Sequence, residues 1–270
     1  HMSNDLLRSS LQEAQGRAHE WGARNRVCFD PTKEHIHIVH PDEGDDCEFV
    51  LLGTIFDCCL TMIPCIVHLL NKLRPKIRAM LKMKSMYSVP SLLNQFKTQI
   101  WSSMPYHNGA LLIAGDVQLR KLDKMQRGFL FDLDIDDRSA FIEYNFAPPS
   151  LRRAIGILAF LHKRILGTCH PALESIFPFE DKEYRYHTKT LRSFWNEVRG
   201  HRALYNNSIY MYILIYNRLP QELVDSENVT TFQGKLTKLA KMRAQRDEGI
   251  SWRMSFQSCA DVVSFFYASS

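Results

Sequence analysis

The stretch "IVHLLNKLRPKIRAMLKMK", residues 66–84, decides how this chain folds. Ile66, Leu69, Leu70, Leu73, Ile77, Met80 and Leu81 recur at intervals of three and four. That is the period of one helical face, not the alternation of a strand. The spacing predicts a helix with a buried apolar stripe. Pro75 lies inside it, lacks an N–H and crowds the preceding turn, so a kink or a split is expected there. The positions between the apolar ones are largely basic: Lys72, Arg74, Lys76, Arg78, Lys82 and Lys84.

This basic run belongs to a wider segment free of acids. Between Asp57 and Asp116 there is no Asp or Glu, and Lys97 adds a further cation. The net charge of +5 is modest, so the distribution carries the information. A block of one sign is how a polyanion-binding surface appears in sequence. Lys72, Arg78 and Lys82 lie off the apolar stripe and are the first candidates for phosphate contacts. Tyr87, Trp101 and Tyr106 fall in the same segment and could stack on bases, although aromatics at such positions more often pack in a core. A second basic cluster, Arg152, Arg153, His162, Lys163 and Arg164, flanks the helical pattern "RRAIGILAFLHKR"; its alternative reading is solvation of helix ends.

With 270 residues, 45% of them hydrophobic, the chain can bury a substantial core. Residues 5–20 place Leu6, Leu7, Leu11, Ala14 and Ala18 at helical spacing. Two short strands are expected near 34–39 and 47–52, and helices over roughly 90–102, 108–131, 136–146, 150–166 and 188–218. A basic C-terminal helix would be capped by Thr230 or Thr231. The fold class is therefore mainly α (α+β). A helix plus hairpin occupies 3–57, a basic helical region 58–131 and a helical C-terminal region 132–270.

Several function classes lose support on composition. No run of eighteen apolar residues is free of charge, so no membrane partner is expected and the location is read as intracellular, nuclear or cytoplasmic. The seven cysteines form an odd set without CxxC spacing, which fits reduced thiols. His35 and His37 with Cys47 lack a further ligand at zinc spacing, so neither metal nor cofactor is expected. GxSxG, HExxH and P-loop motifs are missing. Gly44-Asp45-Asp46 has the letters of a polymerase aspartate pair, but it lies in "HPDEGDDC", which has the composition of an acidic turn. A two-metal site needs its carboxylates on rigid backbone.

Taken in order, "WGARNRVCFDPTKEHIHIV", "FVLLGTIFD", "LLNKLRPKIRAML", "FKTQIW", "YNFAPPSLRR" and "YNRLPQELVDSENVTTFQGKL" resemble the carboxy-terminal part of a non-LTR retrotransposon reverse transcriptase. The resemblance runs through nearly the whole chain and implies a late palm, a thumb and a helical tail. It places the catalytic Tyr/Phe-x-Asp-Asp hairpin upstream of Asp5, so the chain would not be an enzyme on its own. Lys33 would match the lysine that in a complete polymerase can protonate the leaving pyrophosphate, a general acid idle without its site. Leu51, Leu52 and Gly53 would match the primer grip, where glycine lets backbone approach a nucleic-acid strand. The implied partners are RNA and/or DNA. The sequence departs from the family at Tyr216, where Trp is frequent, and in having no CCHC zinc knuckle. The alternative is a retroelement-derived protein-interaction or scaffold module, a homo-oligomer formed through an exposed strand edge.

Overall fold

The computed structural model describes residues 4–30, 34–37, 39, 48–104, 108–180, 190–192, 208–246, 261 and 265. It is mainly helical, with one two-stranded antiparallel sheet among the described residues. The chain divides into two compact units, His1–Pro64 and Cys65–Ser270.

In the first unit, α1 (Asn4–Arg24) leaves Leu6, Leu11 and Trp21 exposed. It is tied to the following segment by Glu34, whose Oε2 accepts from Gln15 Nε2 at 2.5 Å and lies 2.7 Å from His19 Nε2. These two contacts, Gln15 first, hold the Glu34 carboxyl below the usual carboxylate range. Phe29 and the Val27 carbonyl approach Gly22 so closely that a Cβ there would lie 2.5 Å from the Phe29 ring. The hairpin pairs β1 (Glu48–Leu51) with β2 (Thr54–Asp57), in the register Leu51 to Thr54 through Glu48 to Asp57.

The expected strand at 34–39 does not form: residues 34–37 and 39 have no regular structure. The partner of residues 48–51 is instead the next segment along the chain. Leu52 (φ 49°) and Gly53 (φ 75°) make a two-residue turn with both φ values positive, which matches the right-handed twist of the strands it joins. His37 still contributes, stacking on Phe49 at 4.6 Å, and Phe49 stacks on Phe56 at 5.4 Å. Leu52 holds a conformation that costs an L-residue roughly 1–2 kcal/mol. Leu52→Asn is therefore expected to slow amide exchange in β1 and β2, stabilising the hairpin by about 0.5–1 kcal/mol. After β2, Asp57 closes a turn: its carboxylate accepts from the Thr61 N–H and hydroxyl, each at 2.8 Å, and from the Met62 N–H at 3.0 Å.

α2 (Ile63–Lys82) runs unbroken through Pro75, so the expected split does not occur. Pro75 and Asn71, whose carbonyl loses its helical donor, both lie on the exposed side, where water can take over. On the other side Ile66, Leu69, Leu70, Leu73, Ile77 and Met80 are buried, the stripe read from the sequence.

The remaining helices of the second unit are α3 (Val89–Gln99), a 3₁₀ turn (Trp101–Ser103), α4 (Asn108–Leu111), α5 (Asp116–Asp132), α6 (Asp137–Tyr144), α7 (Pro149–Ile165), α8 (Ala172–Ile176), α9 (Ile209–Tyr216), α10 (Gln221–Val224) and α11 (Val229–Arg246). α7 is buried on nearly all sides and packs against α4, α5, α9 and α11. α5 also contacts α6 within this unit.

Three further expectations are corrected. The helix read over 108–131 is two, interrupted at Leu112–Gly115, and Asp116 opens α5 where an acid favours a helix N-terminus. The helix read from 188 is absent at 190–192, where Leu191 bridges to Phe179 and exchanges hydrogen bonds with the Asn217 amide. α11 is capped by Asn228, whose Oδ1 accepts from the Thr231 N–H at 2.8 Å, rather than by Thr230 or Thr231.

Two buried polar bridges hold this unit together. Gln126 accepts from Trp101 Nε1 at 2.9 Å and donates to the Ala147 carbonyl at 3.0 Å, beside the tilted and edge-on rings of Phe96, Phe129 and Phe146. His162 lies 2.7 Å from the Tyr216 hydroxyl through Nδ1 and 3.0 Å from the Ser226 carbonyl through Nε2, with Phe232 stacked on its ring at 4.1 Å. At the surface, Arg138 near the start of α6 donates to the Ala244 carbonyl and, at 2.8 Å, to that of Gln245 at the end of α11.

Candidate nucleic-acid interface

The buried stripe of α2 fixes which side of the helix faces outward. Arg74, Arg78 and Lys82, at i, i+4 and i+8, fall in one exposed row. Lys72 is also exposed, and Lys76 is half-buried at the margin of the stripe. Among the described residues none of these five has an acidic partner within ion-pairing distance. A row of cations on a helix held rigid by its other face can neutralise successive phosphates and release their counterions.

The other basic candidates have duties inside the fold. Lys84 bonds to the Asp132 carbonyl and lies 3.1 Å from Asp134, joining the end of α2 to the end of α5. Lys97 donates to the Tyr144 carbonyl at 2.6 Å, at the C-terminus of α6, and is half-buried. Burial first, then the charges of Arg152 and Lys241, push its ammonium below the usual lysine range.

The second cluster is largely internal, neither a basic surface nor solvated helix ends. Arg153 and Arg164 are buried, as is His162. Arg164 Nε donates to the Phe177 carbonyl at 3.0 Å, and its guanidinium lies 4.1 Å from the centre of the Phe179 ring. Arg153 stands near Asp123; burial raises the Asp123 carboxyl, and Arg153 pulls it back. Arg152 is half-buried, 3.5 Å over the Trp101 ring, and burial lowers its guanidinium to about 10. Lys163 alone of the cluster is exposed.

Of the aromatic candidates, Trp101 is buried, Tyr87 is exposed and Tyr106 lies outside the described residues. Leu51, Leu52 and Gly53 form the tip of the hairpin, with Leu52 81% exposed. Lys33, Asp45, Asp46 and Cys47 lie outside the described residues. Among the described residues no three His, Cys, Asp or Glu side chains gather as a metal site, and no helix is long and apolar enough to cross a membrane.

No family model, curated protein or solved structure matches this chain. The functional reading therefore rests on side-chain placement. Sequence reasoning missed the exposed Lys121 and Lys124 on α5, which fall among acids in the sequence and so outside the acid-free block. It also missed the gathering of Lys97, Arg152 and Lys241 around Trp101 and Phe141. These residues are spread over more than a hundred positions, and no local signal links them.

Proposed function

We propose that this chain binds nucleic acid by its phosphate backbone through α2, as the thumb-side part of a reverse transcriptase of the non-LTR retrotransposon type. The observation that carries this reading is the exposed row Arg74, Arg78 and Lys82, with Lys72 beside it, unpaired among the described residues and seated on a buried stripe. The hairpin "FVLLGTIFD", with its two-residue tip ahead of a basic helical region, supports the same reading. Such contacts read no base edges, so little sequence preference is expected. Within this reading the chain works in the nucleus or the cytoplasm and adds no nucleotide to a primer by itself.

Four phosphate contacts imply a slope of about −3.6 for log affinity against log salt on duplex DNA, on the order of a hundredfold loss between 50 and 200 mM. The triple variant Lys72→Glu, Arg78→Glu, Lys82→Glu should bind at least tenfold more weakly at low salt and show a slope nearer zero. Fluorescence-anisotropy titrations of duplex DNA and of an RNA–DNA hybrid measure both. Unchanged binding in the triple variant would remove α2 from the interface.

A second reading, the self-associating scaffold, is favoured by the hairpin itself. Its strands have no further partner strand among the described residues, and Val50, Leu51 and Leu52 are exposed at its tip. A stable oligomer in light scattering, together with no nucleic-acid affinity, would decide for the scaffold.

A further inference from the structure

The second unit contains a cavity of about 320 Å³ lined by Met104, Leu111, Leu122 and Ile155, with Trp101 and Arg152 on its wall and Thr237 of α11 among the polar groups. Its walls are mostly apolar and its volume lies at the lower end of small-molecule sites, roughly 300–1,000 Å³. Arg152 is the unusual member. Its guanidinium lies against the Trp101 indole, which occupies one face of the guanidinium plane. None of the guanidinium N–H groups has a hydrogen-bond acceptor among the described residues, and no carboxylate there stands within ion-pairing distance. Arg153, the neighbouring arginine on the same wall, is by contrast offset by Asp123.

The surroundings make an anion more welcome still. Lys97 stands 5.8 Å from the centre of the same indole, and Lys241 lies 5.8 Å from the centre of the Phe141 ring. Each lysine caps a carbonyl at the end of α6, Tyr144 for Lys97 and Ile142 for Lys241. Each lysine therefore bonds to a backbone carbonyl, as the Arg152 guanidinium does not among the described residues. The charges of Arg152 and Lys241 both act on Lys97, so an anion held on Arg152 relieves repulsion among the three. A guanidinium with one face stacked keeps its in-plane N–H edge for a bidentate oxyanion.

We propose that this cavity binds a small organic oxyanion, with a phosphate or carboxylate head on the N–H edge of Arg152 and an apolar body among Met104, Leu111, Leu122 and Ile155. The site is separate from the α2 row and does not depend on the nucleic-acid reading. Isothermal titration of the 270-residue chain with phenyl phosphate and with benzoate tests it, and the two arms distinguish the head groups. Inorganic phosphate serves as the head alone and benzyl alcohol as the body alone.

At least one of the two anions should saturate at one per chain and bind at least about tenfold more tightly than both controls. Arg152→Met, which keeps an aliphatic side chain on the indole, should weaken that binding at least about tenfold. Thr237→Phe, which fills the cavity and leaves Arg152 in place, should remove the advantage over inorganic phosphate. The α2 triple variant should bind the anion as the wild type does. The proposal is overturned if neither anion saturates, if inorganic phosphate binds as well as both, or if binding survives Thr237→Phe. Should Arg152→Met fail to fold, the Thr237 variant decides alone.

Discussion

Phe232→Ala is expected to lower the melting temperature by about 6–20 °C, the shift that roughly 3–5 kcal/mol produces in a unit of this size. The Phe232 ring is fully buried, stacks on the His162 imidazole at 4.1 Å and lies 5.8 Å from the Tyr216 ring, so truncation opens a cavity where α7, α9 and α11 meet. Tyr216→Phe is the milder companion. It leaves His162 Nδ1 without its hydroxyl partner while preserving shape, at a cost of about 1–3 kcal/mol. Thermal melts of both variants check the ranking.

The same cluster gives a pH dependence with a definite sign. Burial, assisted by the nearby Lys235 charge, lowers the His162 imidazole from its ordinary 6.5, against a smaller opposite pull from the Ser226 carbonyl. Below pH 6.5 the unfolded chain takes up a proton that the folded chain resists, so stability rises with pH there. This contribution is complete above 6.5 and is lost as pH falls from 6.5 through the lower folded value. In Phe232→Ala, water reaching the imidazole should weaken that dependence, which melts across pH 5–8 would reveal.

Gln126→Glu should be nearly as damaging, at about 2–5 kcal/mol, although it changes a single atom. Gln126 is the one side chain that both accepts from Trp101 Nε1 and donates to the Ala147 carbonyl. An ionised glutamate can still accept from the indole but sets a charged oxygen against a carbonyl oxygen in a buried site. Protonation would restore a donor, so the variant should recover part of its stability at low pH, opposite in sign to the His162 effect. Gln126→Met removes charge as a factor and should cost about 2–4 kcal/mol at every pH, since two buried groups then lose their partner. Comparing the melts of the two variants at pH 5 and pH 8 separates the causes.

What the sequence disclosed and what it hid follow one physical rule. Periodicity identified α2 and α7 because a helix that buries a stripe must repeat it, and it placed Lys72, Arg78 and Lys82 off that stripe for the same reason. It misjudged the hairpin, because "EHIHIV" alternates like a strand whereas the turn that forms the sheet is Leu52-Gly53 and not an Asn-Gly pair. It ran one helix across Leu112–Gly115, since apolar residues there continue the pattern and only the glycine ahead of Asp116 marks the restart. Arg152 and Arg164 looked like surface charge because their partners, Trp101, Phe177 and Phe179, are chosen by packing and not by spacing along one helix.

The link from Arg138 to the last turn of α11 sets where the helical unit can be cut. The carbonyls of Ala244 and Gln245 both accept from the Arg138 guanidinium of α6, a hundred residues earlier. A protein engineer trimming this chain from its C-terminal side has to spare more than α11, because the buried Phe265 ring lies 5.1 Å from the Arg243 guanidinium. A stop after Ala240 would strip the buried Ala244 from the fold, release the guanidinium and let the end of α11 fray back toward Leu236.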